Sequence, residues 1–200
     1  MSPPIGTCTE ADLARTADEF GIWCELVDGT LVTKAERQWP FSHMEASIGA
    51  AVDGATSRGG ERQGAVVWGA TLRCRPATVR RPDIPVFAVA SLVAGVFPPQ
   101  PRAGALPDLV IDIHMIGNTP AEMARRRLDY FAAGVTRVWS IHPAEHTVTA
   151  HTGPQTCAIL SPDRPAMLGD TLPGACVTFR PLFDQFANRW AVRASRPVTA

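Results

Sequence analysis

The stretch from Leu109 to Ile141 most narrows what this chain can fold into. Leu109 to Met115 is a strand-forming run that Gly117-Asn118 breaks. Thr119-Pro120-Ala121-Glu122 then combines an N-cap, a proline at the first helical position and a capping-box glutamate. The helix opened there runs to Ala133 and stops at Gly134, and Val135 to Ile141 is the next strand. Strand, helix, strand in that order is a βαβ-like unit inside an otherwise hairpin-rich chain. It predicts a mixed sheet with helices packed against it, an α/β or α+β fold.

The remaining elements follow from capping and turn chemistry. Thr9 with Asp12 reads as a helix start, with Leu13, Ala17 and Phe20 on one face and Gly21 as the stop. Trp23 to Val27, Asp28-Gly29 and Thr30 to Thr33 form a hairpin, because Asp-Gly readily takes the positive φ angles of a two-residue turn. Glu25 therefore lies on a strand. Ser42 with Glu45 opens a second helix, with Met44, Ile48, Ala51 and Val52 inward, ending near Gly59-Gly60. Ala65 to Cys74, Pro82 to Ala88, Thr147 to His151, Cys157 to Leu160 and Asp170 to Phe179 read as strands, followed by a short helix near Leu182 to Phe186. Pro98-Pro99-Gln100-Pro101 reads as a stiff connector or a substrate-facing loop. The ends, before Thr9 and after Trp190, have little to bury.

One domain spanning residues 1–200, with its core at about 20–187, suits 200 residues of which 46% are hydrophobic. Five cysteines without a CxxC pair or zinc-ligand spacing read as reduced thiols of a cytoplasmic protein. The N-terminus has no signal-peptide pattern, and the longest apolar stretch, Ile84 to Phe97, is too short and too interrupted to span a membrane. Zero net charge gives no global pull toward nucleic acid, although arginines cluster at Arg73, Arg75, Arg80 and Arg81 and again at Arg125, Arg126 and Arg127. Such clusters suit phosphate recognition or a solvated surface. Lys34 is the only lysine.

Asp83 and Asp112 carry the chemistry. Each sits in or beside an apolar, β-branched run, where an unpaired buried charge would cost several kcal/mol, so something cationic belongs between them. Two strand-borne carboxylates can hold Mg²⁺ together with waters and substrate phosphate oxygens. The plainer alternative is that one or both face solvent or pair with an arginine. His142, His146 and His151 span a turn and a strand, which argues against a zinc hydrolase. No GxSxG, GxxxxGK or GxGxxG occurs, and Trp139 on an apolar strand reads as core.

Several motifs stand in a family-like order: Cys24-Glu25-Leu26-Val27-Asp28-Gly29, Ser42-His43, Arg81-Pro82-Asp83-Ile84, Pro107-Asp108-Leu109-Val110-Ile111-Asp112, Arg126 through Val135 with Val138-Trp139-Ser140-Ile141, and Gly169 through Gly174. Across residues 20 to 187 the chain resembles the Uma-type restriction endonuclease family, a branch of the PD-(D/E)xK nuclease superfamily. The resemblance implies a restriction-endonuclease-like mixed central sheet flanked by helices. Its acidic Mg²⁺ site, with Mn²⁺ as a substitute, would consist of Asp83, Asp112 and the backbone carbonyl of Ile113, with Glu25 as an auxiliary acid. It also implies hydrolysis of DNA phosphodiester bonds, for which a homodimer would suit duplex cutting.

The chain departs from the family at the lysine that orients the attacking water, where Arg126 stands. Arginine keeps the charge but stays protonated. Asp112 replaces the commoner glutamate. His114 falls at the x-K position of the superfamily pattern and shares a strand face with Asp112, so it is either a base or a histidine paired with a carboxylate. His43 reads as a capping or surface residue. Three functions are open: a metal-dependent endonuclease, a degenerate member that binds nucleic acid or a protein without cutting, and a structural dimerisation module.

Overall fold

The computed structural model describes residues 6–20, 23–34, 39–91, 106–115 and 117–194. It opens with α1 (Glu10–Phe20), capped as the sequence predicts: the Asp12 N–H donates to Thr9 Oγ1 and the Thr9 N–H to Asp12 Oδ2. β1 (Cys24–Val27) and β2 (Thr30–Thr33) form the predicted hairpin, with Asp28 at φ 48° and Gly29 at φ 73°. A Cβ on Gly29 would lie 2.5 Å from the Gly6 carbonyl oxygen, so the turn has room only for glycine. The docking reaches further towards the N-terminus than Thr9: Cys8 is buried and its N–H donates to the Gly29 carbonyl.

α2 (Trp39–Ala55) starts before the Ser42–Glu45 box, with Pro40 in its first turn, and buries Met44, Ile48 and Val52. It ends before Gly59-Gly60, which instead turns the short hairpin of β3 (Ser57–Arg58) and β4 (Glu61–Arg62). The single strand expected over Ala65 to Cys74 is two strands, β5 (Gly64–Val66) and β6 (Leu72–Arg75), separated by a turn at Trp68-Gly69. β7 (Thr78–Arg80) returns beside β6, then β8 (Ile84–Ala88) and β9 (Leu109–Ile113) follow. α3 (Pro120–Ala133) has the predicted caps: Thr119 Oγ1 accepts from the Glu122 N–H, and Gly134 closes the helix at φ 103°. β10 (Val138–His142), β11 (Thr147–His151), β12 (Cys157–Leu160), β13 (Ala166–Met167), β14 (Cys176–Val177) and α4 (Arg180–Ala194) complete the order. The long strand expected over Asp170 to Phe179 shrinks to β14, and α4 runs past Trp190. The Pro98–Pro101 connector and the Gly21 stop lie outside the described residues.

The central sheet has the order β12-β11-β10-β9-β8-β5. Only its β9–β10 pair is parallel, joined through α3, which is the βαβ unit set in antiparallel neighbours. A second sheet, β2-β1-β7-β6, brings the N-terminal hairpin alongside. Alternation along β9 divides its residues between two cores. Leu109, Ile111 and Ile113 join the large core with Ile48 and Val52 of α2 and Phe183 of α4. Val110 joins Tyr130 of α3 and Leu72 of β6 in the smaller one. Asp112 shares the parity of Val110, which aims it at α3 and at the second sheet.

Candidate active site

Asp83 lies one residue before β8 rather than on it, and Asp112 is on the adjacent antiparallel strand β9. The Asp83 N–H donates to Asp112 Oδ1 at 3.2 Å, and the Ile113 N–H donates to Asp83 Oδ2 at 2.9 Å. Each carboxylate thus accepts from the other's segment, which holds the two side by side. Both are buried, at 4% and 2% exposure, so cations must balance them.

Lys34 and Arg126 do so, and two further arginines complete the surrounding network. Lys34, just beyond β2, donates from Nζ to Asp83 Oδ1 at 2.6 Å and to the Arg81 carbonyl at 2.7 Å. Arg126, in the middle of α3, commits its whole guanidinium. Nε donates to Asp112 Oδ2 at 3.0 Å, Nη1 to both oxygens of Glu25 at 2.7 Å, and Nη2 to the Tyr130 hydroxyl at 2.9 Å and the Arg81 carbonyl at 3.2 Å. Arg80 on β7 bridges Glu25 at 2.8 Å and Asp129 on α3. Arg75 reaches Asp129 from the rim. Tyr130 donates its hydroxyl to Asp112 Oδ2 at 2.9 Å. Four carboxylates, Glu25, Asp83, Asp112 and Asp129, therefore meet four cations, Lys34, Arg75, Arg80 and Arg126.

This balance sets the protonation states. Burial alone raises the pKa of Glu25, but Arg126, Lys34, the Arg81 N–H and Arg80 more than offset it and hold the carboxyl below its usual range. Asp112 behaves alike: burial opposes its charge, and Arg126 and Lys34 prevail. Burial pushes the Tyr130 phenol well above its ordinary value, so its proton stays on the oxygen.

A small cavity of about 20 Å³ opens beside the pair, with Glu25, Lys34, Asp83, Ile113, Glu122 and Arg126 in its wall. That is room for one water or ion. Asp112 stands behind Arg126 and is not part of that wall. His114 lies elsewhere, in the wall of an apolar cavity of about 510 Å³ with Phe41, His142, His146 and Phe186. Its ring centroid is 3.7 Å from that of His142, and burial followed by the His142 charge lowers its pKa to about 4. His43 stacks on Trp39 and faces Ser47 and Gln185.

Among the described residues no group of three or more His, Cys, Asp and Glu is arranged as a metal cage. Mg²⁺ does not need one, since one or two carboxylates, a carbonyl and waters suffice. Asp83, Asp112 and the Ile113 carbonyl are hard oxygen donors of that class, and the cavity on which Asp83 and Ile113 open has the size of one hydrated position. The donor chemistry fits a divalent ion, with Arg126 as its competitor for Asp112.

The model of the Uma2 family, described as "Putative restriction endonuclease", matches residues 12–180. The chain belongs to the Uma2 family. A solved structure described as a putative nuclease belonging to DUF820, from Anabaena variabilis, superposes with a TM-score of 0.66 at 18% identity, covering 82% of this chain and 90% of that one. At that identity the likeness speaks for the fold, which is the restriction-endonuclease-like mixed α/β arrangement expected. No curated protein matches the chain. The family as a class works with divalent metals. Among the described residues of this Uma2 chain, no helix is long and apolar enough to cross a membrane.

Sequence reading brought Asp83, Asp112, Glu25 and Arg126 together, and the structure places all four in one network. It missed Lys34, Arg80, Asp129 and Tyr130. Arg80 belongs to a cluster that reads as phosphate-facing or solvated, whereas it points inward onto Glu25 and Asp129, and the neighbouring Arg73 and Arg125 pair with Glu10 and Asp28. The parity of β7 could have found Arg80, because a strand reading Thr-Val-Arg next to a buried glutamate needs a partner for it. Lys34 carried no local signal beyond being the sole lysine.

Proposed function

We propose that this chain is a metal-dependent endonuclease that hydrolyses phosphodiester bonds of DNA. Asp83 and Asp112 would hold Mg²⁺, or Mn²⁺ in its place, with the Ile113 carbonyl as a further ligand. The bound ion would supply charge neutralisation at a phosphate oxygen and ionisation of the attacking water. The observation that carries the reading is the reciprocal pairing of two buried aspartates, Asp83 just before β8 and Asp112 on β9, with Asp83 in the wall of a cavity that Lys34 shares.

The chain's own residues divide the remaining tasks. Glu25 holds Arg80 and Arg126 in place from the neighbouring sheet and keeps its negative charge beside the cavity. Arg126 lends a fixed positive field next to Asp112. Hydrogen bonds from backbone N–H groups fix both aspartates, so little reorganisation is needed when a phosphate arrives. His114, in the wall of the other cavity, transfers no proton in this scheme. Cutting both strands of a duplex would call for a second copy of the chain.

A binding role without cutting is favoured by one observation: every carboxylate of the network already faces a cation. Incubating the purified chain with supercoiled and single-stranded DNA in Mg²⁺ or Mn²⁺ decides between the two. Cleavage that disappears in both Asp83→Asn and Asp112→Asn supports the nuclease. A folded wild type that leaves DNA intact with either metal sinks it and leaves the binding role.

A further inference from the structure

We infer that Lys34, delivered by the N-terminal hairpin, is the cation that contacts the reacting phosphate, in place of the helix-borne group at position 126. Resting on the nuclease reading above, the inference starts from a count of donors. A guanidinium has five N–H groups, and Arg126 spends all five inside the protein: one on Asp112, two on Glu25, one on Tyr130 and one on the Arg81 carbonyl. Nothing remains for a phosphate oxygen. Arg80 is likewise turned inward, between Glu25 and Asp129.

Lys34 is different in each respect. Its ammonium has three N–H groups, of which two have partners among the described residues, the Asp83 carboxylate and the Arg81 carbonyl. The side chain is in the wall of the small cavity together with Asp83 and Ile113. Its stem is 8% exposed, so the charge is fixed in direction and shielded from bulk water, where a donor acts most strongly. A lysine tip is also compact enough to share a cavity of about 20 Å³, where a planar fork is not. The position is supplied by a different element from the one carrying Arg126: Lys34 follows β2, and 49 residues separate it from Asp83.

In the hydrolysis, a water oxygen bonds to phosphorus and the ester P–O bond breaks. The water loses a proton to solvent and the departing sugar oxygen takes one up. Lys34 stays protonated throughout, donating its third N–H to a non-bridging oxygen as negative charge builds there. It also holds Asp83 in place, so a purely structural role has to be separated from a catalytic one.

Lys34→Met and Lys34→Arg separate them, each compared with wild type in two measurements after thermal melting shows a folded protein. The first is the single-turnover rate on a single-stranded oligonucleotide in Mg²⁺. The second is equilibrium binding of the same oligonucleotide in Ca²⁺, which reads the phosphate contact without turnover. Lys34→Met should lose on the order of 10²–10³-fold in rate and about tenfold in affinity. Lys34→Arg, which keeps Asp83 neutralised, should melt like wild type and recover most of the affinity while remaining slow. If Lys34→Met binds and cuts as wild type does, the assignment is wrong. If Lys34→Met is slow and weak but Lys34→Arg is fully active, any cation suffices and the specific lysine contact is overturned. A wild type that never cuts removes the nuclease reading alone; the Ca²⁺ binding ratio then still upholds or rejects Lys34 as the phosphate contact. Should Lys34→Met fail to fold, the Lys34→Arg rate and affinity decide.

Discussion

Tyr130 shows how finely the buried polar network is matched. Its hydroxyl donates to Asp112 and accepts from Arg126 in the same plane of contacts, and the ring packs with Val110 and Val138. Tyr130→Phe keeps the packing and deletes one oxygen, which leaves Asp112 Oδ2 and Arg126 Nη2 each a partner short inside the protein. The expected loss is about 1–3 kcal/mol of unfolding free energy in urea, larger than a surface substitution gives. An unchanged midpoint would mean that water enters to replace the hydroxyl. The cysteines make a second residue-scale case. Cys74 is buried beside Asp129, and burial first, then that charge, push its thiol up to about 12. Cys157 is exposed on β12. An alkylating reagent at pH 8 should therefore label Cys157 within minutes and spare Cys74 until the chain unfolds, as peptide mass mapping would show.

Among the elements, α3 was the most legible and the most consequential. Thr119, Pro120, Glu122 and Gly134 each have a local reason to be where they are, so the helix boundaries follow from chemistry within a few residues of each end. Gly134 sits at φ 103°, and a Cβ there would approach the Leu106 side chain to 3.0 Å. Gly134→Ala should cost about 1–2 kcal/mol, read as a lower thermal midpoint, and should tilt the last turn of the helix rather than abolish it. The Asp-Gly hairpin was legible for the same local reason. What could not be read lay in relations across the chain. The break at Trp68-Gly69 that sends β6 into the other sheet has no marker stronger than one glycine, and apolar runs on both sides made it look continuous. Asp83 and Asp112 stood out because aspartate is rare in such runs. Lys34 did not, because its meaning depends on a partner 49 residues away. Arg80, three residues from Asp83, reads in sequence as a phosphate ligand or a solvated surface residue, and only the second sheet turns it inward onto Glu25 and Asp129.

At the scale of the whole molecule, the buried ionisable groups set how stability follows pH. Glu25 and Asp112 titrate below their unfolded values of about 4. Their contribution is complete above that value and is lost as pH falls further, through the depressed folded pKa. His151, buried against Ser140, is held at about 4 by burial and then by Arg127, against about 6.5 unfolded. A depressed histidine favours the neutral form in the fold, so its contribution is present above about pH 6.5 and declines between there and about pH 4. Melting temperature should therefore fall in two stages on acidification, first from His151 and His114, then more steeply below pH 4. His151→Gln should flatten the first stage and leave the second; a first stage that is unaltered would assign it to other groups.

The same network has a consequence for how the protein comes off the ribosome. Glu25 is 101 residues from its partner Arg126, and Lys34 is 49 from Asp83. At a synthesis rate of about 5–20 residues per second, the hairpin waits on the order of 5–20 s for the helix that neutralises it. During that interval the nascent chain carries Glu25 on its hairpin without the α3 arginine that pairs with it. The ion-pair network can close only when α3 has emerged, so the hairpin, the first piece of the site to be made, is completed by an element made much later.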